Sequence, residues 1–286
     1  MVTSLNTPIP LEEEPVYTAA DRRRMCRIVF TFILFSLAYS WFSDTLVHQL
    51  RGPVLRYPYV DLSYWVFHLA GIPEFISGDP VIAWLFDGAL VGCCMLVLVF
   101  PDRRIFARLF FGLYFIYFIL FNSYGLLHTS SKIGILLMPL PFLARGTRAF
   151  GLLWQGMRYF ACFAYADAFL WKLFRGTWLY AQQGVAIIRE NLTPYLYFHP
   201  HTLQTGIYTW CLQHAGFTNG LFVAGFLAEG FFLVGFFTRR FDRYLFLLSI
   251  LLPVGFLFLS DAFFFELIIL GLTLLDLRDK KRVGSL

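Results

Sequence analysis

Charged residues are scarce in this sequence: Asp, Glu, Lys and Arg together make up 14% of its 286 residues. A soluble domain carries roughly 25% charged residues and needs polar side chains to cover its surface. Here, hydrophobic residues make up 58% of the chain and aromatic residues 20%. This composition excludes an ordinary soluble domain and predicts an all-α fold, a polytopic bundle of transmembrane helices.

Metal-binding and nucleotide-binding patterns are also missing from the sequence. The five cysteines are scattered, odd in number and without a CxxC pair, so they give no disulfide framework and no thiolate metal site. No Gly-rich phosphate loop, GxSxG elbow or HExxH motif occurs. His199 and His201 in "FHPHT" supply at most half of a zinc site, and a surface turn is the favoured interpretation there. We therefore predict no metal site.

The two ends of the chain are polar, in contrast to its apolar middle. Residues 1–24 lack the n-region and cleavage site of a signal peptide, so we expect a mobile cytoplasmic tail and no removable targeting segment. Residues 278–286 form a basic cytoplasmic tail, and residues 25–277 a single membrane domain without an internal repeat. The net charge of +5 does not indicate a nucleic-acid partner, because the basic residues form short clusters between apolar segments.

Eight apolar segments approach the ~20 residues that a helix needs to cross a bilayer. The fourth of them is short unless it begins near residue 126. Their ranges are 25–41, 81–100, 105–121, 133–144, 152–174, 221–237, 244–259 and 263–277. We therefore predict about eight spans in contact with membrane lipid.

The distribution of basic residues predicts the orientation of these spans. When the N-terminus is placed inside and the chain crosses eight times, all but six of the 23 Lys and Arg residues fall on the inner side. The six exceptions are Arg51, Arg56, Lys132, Lys172, Arg175 and Arg189. Because this pattern satisfies the positive-inside rule, we predict a multi-pass protein of the cell (inner) membrane with both termini in the cytoplasm.

The two long outer segments, residues 42–80 and 175–220, are rich in Tyr, Trp, Pro and His. All six histidines of the chain fall on this outer side. We expect the two segments to form short amphipathic helices and loops over the mouth of the bundle, where they are candidates for contact with protein partners. A functional site is therefore expected at the outer, periplasmic face.

Ionisable residues inside membrane spans are rare and costly, so each is a candidate for function. They are Asp87, Asp167, Lys172, Glu229 and Glu266, with His128 and Asp261 at the edges of spans. Asp87 admits two interpretations, a structural polar contact or a proton site. Glu229 lies near the middle of its span, where it either pairs internally or is protonated.

Lys172, in "AYADAFLWKLFRGTW", lies at the outer end of the fifth span. Either it extends its ammonium to the lipid headgroups along its aliphatic stem, or it is desolvated enough to lose its proton and act as a base. Helical spacing places Tyr165 on the same face of the helix as Lys172. Asp167 lies about 140° away round the helix and is a poor intrahelical partner.

His128 lies in a polar interruption, "FNSYGLLHTSSKIGILL", between two apolar segments. Polar or non-helical backbone at membrane depth is tolerated only where it is buried in protein or lines a cavity. The segment is therefore either an ordinary outer loop or the wall of a polar pocket at the outer mouth of the bundle.

Three segments together resemble the HTTM domain, the membrane part of vitamin K-dependent γ-carboxylase and its bacterial relatives. "YADAFLWKLFRGTW" resembles the Tyr…Lys-Leu…Trp signature of that family, and "NSYGLLHTSSKIGILLMPL" resembles its histidine-bearing stretch. "FLAEGFFLVGFFTRR" and the residues after it resemble its glutamate-containing span, basic turn and closing helix pair. The resemblance covers residues 103–277, and the glutamate-containing pattern is also similar to the DoxX group of quinone-associated membrane proteins.

The resemblance implies a reduced isoprenoid quinone as cofactor and roles for five residues. Lys172 falls on the lysine that deprotonates a hydroquinone in the family, and His128 on a histidine that supports the reaction. The resemblance implies that the cofactor-binding residues are Tyr165, Trp178 and Glu229. In the family, the reduced quinone reacts with oxygen to form a strong base that takes a proton from a glutamate side chain, and carbon dioxide then adds to the carbanion.

The sequence departs from the carboxylases in one respect that changes the expected function. No soluble outer domain follows Lys172 to hold a protein substrate, so carboxylation of protein glutamate is not expected. The remaining hypothesis is a quinone- or lipid-handling enzyme with a lysine base at the outer face. The alternative is a non-catalytic subunit of a larger membrane complex with a quinone-linked, secretion or motility role. A transporter is less favoured, because the sequence shows neither paired broken helices nor an inverted repeat.

Overall fold

The computed structural model describes residues 17–50, 62–123, 132–260, 262 and 264–278. Within these ranges every regular element is a helix. The α-helices are α1 (Ala19–Phe42), α2 (Leu62–Leu69), α3 (Ile72–Gly78), α4 (Pro80–Val99), α5 (Arg104–Ser123), α6 (Ile133–Leu137), α7 (Leu140–Leu143), α8 (Thr147–Phe174), α9 (Gln183–Phe198), α10 (Leu203–Gln213), α11 (Ala215–Phe231), α12 (Asp242–Ser260) and α13 (Phe265–Gly271). Short 3₁₀ turns follow at Thr177–Leu179, Phe232–Phe236 and Leu272–Leu274. The all-α prediction is confirmed for the described residues.

Five helices are long and apolar enough to cross a membrane, which agrees with a multi-pass membrane protein. They are Ala19–Phe42, Pro80–Val99, Arg104–Asn122, Ala215–Phe236 and Asp242–Ser260. Two shorter apolar helices cover Ile133–Leu143 and Phe265–Leu274. The remaining long helix, α8, has 28 residues but carries several charged and amide side chains. Each predicted apolar segment thus coincides with a helix or a helix pair, while the count of eight spans and the orientation of the termini stay predictions.

Two helix starts show how the local sequence determines where the long helices begin. At α1, the Thr18 hydroxyl accepts a hydrogen bond from the Asp21 N–H at 3.1 Å, and the Asp21 carboxylate accepts one from the Thr18 N–H at 2.9 Å. This reciprocal cap starts α1 within the predicted tail of residues 1–24. At α4, the Asp79 carboxylate accepts from the Val81 N–H at 2.7 Å, and Pro80 occupies the first helical position, where its missing N–H is harmless.

The helices pack as two adjoining groups that share α8. The first group has a core rich in aromatic side chains between α1, α4 and α5. Helices α6, α7 and α13 pack against this core. In the second group, α8 packs against α11, the 3₁₀ turn that follows it, and α12. Helices α9 and α10 pack over α11 and α12 through Ile188, Leu192 and Tyr208. The predicted outer segment 42–80 therefore contains α2 and α3, and the predicted outer segment 175–220 contains α9 and α10.

The outward face of the bundle is strongly apolar. Large side chains such as Phe35, Leu85 and Leu251 are 62%, 68% and 63% exposed. Soluble proteins rarely expose extended apolar surface of this kind, whereas a bilayer solvates it. The surface therefore agrees with contact between the helices and lipid tails.

Candidate functional site: the Lys172–Glu229 ion pair

Helices α8 and α11 lie side by side and carry the residues that the sequence singles out. Tyr165 contacts Phe232, Lys172 contacts Glu229, and Trp178 beyond the end of α8 contacts Phe226. As the residue number rises on one helix it falls on the other, so the helices are antiparallel. Four of the five sequence-predicted site residues, Tyr165, Lys172, Trp178 and Glu229, therefore lie along one interface.

At the centre of this interface, Lys172 forms a bidentate ion pair with Glu229. The Lys172 Nζ atom donates to both carboxylate oxygens of Glu229, at 2.5 Å to Oε1 and 2.6 Å to Oε2. The Glu229 side chain is 2% exposed and the Lys172 side chain 29% exposed. The ammonium thus turns toward the neighbouring helix rather than toward headgroups, and the role of Lys172 as a base stays a prediction.

One aromatic ring contacts the ion pair, and further rings stack along the same helix interface. The Phe256 ring of α12 lies 5.5 Å from the Lys172 Nζ atom, within the range of a cation–π contact. Phe169 stacks on Phe226 with ring centroids 4.6 Å apart, and Trp178 lies parallel to Phe226 at 6.2 Å. Because rings and aliphatic carbons provide few competing hydrogen bonds, the two charged groups depend on each other for solvation.

Tyr165 is buried below the ion pair. Its ring stacks on Phe232 at 4.0 Å, and its hydroxyl donates to the Ser249 carbonyl at 3.2 Å. The side chain is 2% exposed. In this structure the Tyr165 hydroxyl therefore ties α8 to α12, and the cofactor contact predicted for it stays a prediction.

A second ion pair lies further toward the N-terminus of the same helix. Arg158 of α8 binds Asp242 at the start of α12 with its Nε and Nη2 atoms, at 2.8 and 2.6 Å from the carboxylate oxygens. Fourteen residues of continuous α-helix separate Arg158 from Lys172, which corresponds to about 21 Å. The two ion pairs therefore join α8 to α12 and to α11 at points about 21 Å apart along the helix.

The ion pair can hold and exchange one proton. An ammonium that donates to a carboxylate has no lone pair with which to accept a proton. If a proton moves from Lys172 Nζ to a Glu229 oxygen, the result is a neutral amine beside a neutral carboxylic acid, and the amine can then accept a proton from a ligand hydroxyl. The partial exposure of Lys172, against the burial of Glu229, makes the amine the side of the pair that a ligand reaches.

Other sequence-predicted candidates lie elsewhere. His128 and Asp261 fall outside the described residues, and Asp167 is exposed on α8. Glu266 of α13 is 2% exposed and belongs to the first helix group. Among the described residues, no three His, Cys, Asp or Glu side chains come together as metal ligands would.

Asp87 has a structural role in the described region. Its carboxylate accepts backbone hydrogen bonds from Val47 at 3.2 Å and His48 at 2.9 Å, and it pairs with the His48 Nδ1 atom at 2.7 Å. The His48 ring stacks on Trp84 at 3.8 Å. Of the two interpretations of Asp87, this geometry favours the structural contact, because the carboxylate caps the turn after α1.

Lys132 is a buried amine that sequence reasoning placed on the outer surface. Its side chain is 4% exposed, donates to the Ser40 Oγ atom at 3.0 Å and lies 4.7 Å from the centre of the Phe121 ring. It immediately precedes α6, at the edge of the segment that contains His128. The only sequence signal was this position next to an apolar run, which an exposed loop lysine would share.

Comparison with known proteins identifies no relative. No protein-family model, no curated protein and no solved structure matches this chain. The resemblance to the HTTM and DoxX families therefore rests on the sequence motifs described above.

Proposed function

We propose that the protein is an integral membrane protein of HTTM type that binds a reduced isoprenoid quinone, or a lipid of similar chemistry, at the Lys172–Glu229 pair. The observation that supports this proposal is the bidentate pair itself, a partly exposed ammonium held by a buried carboxylate. Buried ionisable groups in an apolar bundle are costly and mark pathways for ions, protons or ligands. The surrounding rings of Phe256, Phe226 and Trp178 suit a flat aromatic head group.

In the proposed reaction the pair removes one proton from the quinol. The proton first moves from Lys172 Nζ to Glu229, which leaves an amine and a carboxylic acid. The amine lone pair of Lys172 would then accept a proton from a hydroxyl of the bound quinol, which restores the ammonium. One proton has passed from the quinol to the pair, and no electron has moved. His128 is proposed as the acid or hydrogen-bond donor to the same ring.

The proposed location of this chemistry is the outer, periplasmic half of the inner membrane. The positive-inside distribution of Lys and Arg supports this side, because the clusters around residues 103–108, 145–148 and 239–243 share one face in the eight-span topology. The ion pair lies about 21 Å along α8 from Arg158, on the way to the opposite face.

Quinol binding to defined variants tests the proposal. The protein is placed in lipid nanodiscs, and decyl-ubiquinol, kept reduced under nitrogen, is titrated while tryptophan fluorescence is followed. Lys172→Met and Glu229→Gln are expected to weaken binding about tenfold or more, because each removes one partner of the pair. Arg189→Met removes an exposed charge of α9 and is the matched control. Equal quinol affinity of the wild type and the three variants would reject the quinol site.

A non-catalytic subunit role is the second candidate, favoured by the tip between α9 and α10. Tyr197, Phe198 and Leu203 there are 78%, 73% and 85% exposed. Exposed apolar side chains at the end of a helix hairpin fit a contact with another protein. Purification in mild detergent tests this role: a stable co-purifying subunit that is lost on Phe198→Ser and Leu203→Ser supports it, and a monomer in the native membrane argues against it.

A further inference from the structure

A pocket of about 770 Å³ lies at the end of the bundle opposite to the Lys172–Glu229 pair. Its walls come from Tyr17 and Met25 at the start of α1, the first half of α8, residues 239–247 around the start of α12, and residues 273–278. None of the residues of the quinol proposal lines it. It is therefore a separate site, and its chemistry can be considered by itself.

The pocket is strongly basic. Five arginines line it against two aspartates, a net formal charge of +3. Arg158 is bound to Asp242, and Arg278 donates to Asp276 at 2.8 Å, so two of the five charges are compensated within the wall. Arg240 and Arg243 are exposed, and neither has a carboxylate partner in the part of the chain that the structure describes. The pocket therefore offers guanidinium groups to an anion.

One wall of the pocket carries uncharged polar groups. The Gln155 Nε2 atom donates to the Tyr17 hydroxyl at 2.9 Å. The Gln155 Oε1 atom is buried and has no hydrogen-bond partner among the described residues. Burial raises the pKa of the Tyr17 phenol, while the positive charges of Arg278 and Arg239 act in the opposite direction.

The pocket continues into an apolar stripe on α12. Tyr244 and Leu247 line the pocket and are 62% and 54% exposed. Leu251, one turn further along the same face, is 63% exposed. The hydrocarbon chains of an anionic lipid in the pocket would contact this stripe, whereas a free anion has no apolar part that would contact it.

We infer that this pocket binds a phosphate-bearing ligand, with the phosphate between Arg240 and Arg243 and acyl chains along α12. Guanidinium groups bind phosphate oxygens through paired, charge-assisted hydrogen bonds. Basic pockets between membrane helices on the cytoplasmic side bind anionic headgroups in this way. A cluster of arginines that served orientation alone would not need the apolar stripe beside the pocket.

Lipid binding to paired arginine variants tests the inference. The detergent-solubilised protein is titrated with phosphatidylglycerol, with phosphatidylcholine and with inorganic phosphate, and bound ligand is counted by native mass spectrometry while thermal unfolding is followed. The pocket variant is Arg240→Gln/Arg243→Gln. The matched control is Arg103→Gln/Arg148→Gln, which removes the same charge from two exposed arginines outside the pocket. Retained unfolding transitions in both variants show that each is folded.

The expected result is that phosphatidylglycerol binds and stabilises the wild type and the control alike, and binds the pocket variant about tenfold or more weakly. Phosphatidylcholine is expected to bind far less. If inorganic phosphate alone reproduces the arginine-dependent binding, the phosphate site between Arg240 and Arg243 stands, and the assignment of acyl chains to α12 is wrong. If wild type, pocket variant and control bind phosphatidylglycerol and phosphate equally, the inference is overturned.

Discussion

Arg158 and Asp242 join the middle of α8 to the first turn of α12 through two parallel hydrogen bonds of 2.8 and 2.6 Å. The same guanidinium donates to the Thr238 carbonyl at 3.2 Å, so it also holds the turn between the 3₁₀ segment and α12. Arg158 is 3% exposed. This contact fixes α12 against α8 at one end of the second helix group, and the Lys172–Glu229 pair joins α8 to α11 further along.

Replacing Arg158 with lysine tests whether the planar guanidinium is needed. Lysine keeps the charge but carries its donors on a single nitrogen, so it cannot reproduce the parallel bonds that Nε and Nη2 make to Asp242. We expect Arg158→Lys to lower the free energy of unfolding by about 1.5–3 kcal/mol, the usual contribution of a hydrogen bond to a charged group. Thermal unfolding in detergent measures it, with the exposed Arg148→Lys as control. Equal stability of Arg158→Lys and wild type would contradict this.

The Lys172–Glu229 pair gives a prediction about stability that is independent of any ligand. Lys172→Met leaves a buried carboxylate without its partner, and such a loss typically costs about 3–5 kcal/mol. The double variant Lys172→Met/Glu229→Met removes both charges and is expected to be more stable than Lys172→Met alone. A double-mutant cycle of unfolding free energies measures the coupling. Simple additivity of the two single changes would show that the pair contributes no coupling energy.

Gly184 is predicted to be irreplaceable at the contact between α9 and α11. A Cβ atom there would lie 2.5 Å from the Thr218 carbonyl oxygen, a backbone atom that cannot move away by rotating a side chain. The Gly184 N–H also donates to the Asn219 side chain at 2.9 Å. Gly184→Ala is therefore expected to destabilise by about 1–3 kcal/mol, as overpacking usually does.

The matched control for Gly184→Ala is Gly206→Ala in the neighbouring helix α10. A Cβ atom at Gly206 meets no atom within 4 Å. Since alanine is favoured over glycine inside a helix, this change is expected to be neutral or stabilising by up to about 1 kcal/mol. A comparison of the two unfolding temperatures separates crowding at α11 from a general effect of the substitution. Equal changes in unfolding temperature for the two variants would refute the close approach of Gly184 to the Thr218 carbonyl.

The extent of the helices could be predicted from the sequence because membrane helices are marked by length and apolarity. The predicted segments 81–100 and 244–259 correspond to Pro80–Val99 and Asp242–Ser260. The start of α1 was predicted less well, because its first turn is polar and is set by the Thr18 and Asp21 cap rather than by hydrophobicity.

The site could be predicted only residue by residue. Sequence reasoning selected Lys172 and Glu229 separately, since each is a charge in an apolar helix. Their pairing depends on how α8 and α11 are rotated against each other, across 57 residues of chain, and no local pattern encodes that rotation. The burial of Lys132 depends likewise on α1 and α5, which approach it only in the folded bundle.

Asp87→Asn distinguishes the structural interpretation of this carboxylate from a role in proton transfer. An amide has one acceptor oxygen, so it cannot accept from the Val47 and His48 backbone and the His48 ring as the carboxylate does. We expect faster amide hydrogen exchange in residues 45–50, by a factor of about ten for each 1.4 kcal/mol by which the free energy of local opening falls. Exchange in α11 is expected to stay unchanged. Asp79→Asn is the control, because asparagine caps a helix as well as aspartate does. Unchanged exchange at residues 45–50 in Asp87→Asn would mean that the carboxylate does not hold this turn, and a proton role would then be the better account of its burial.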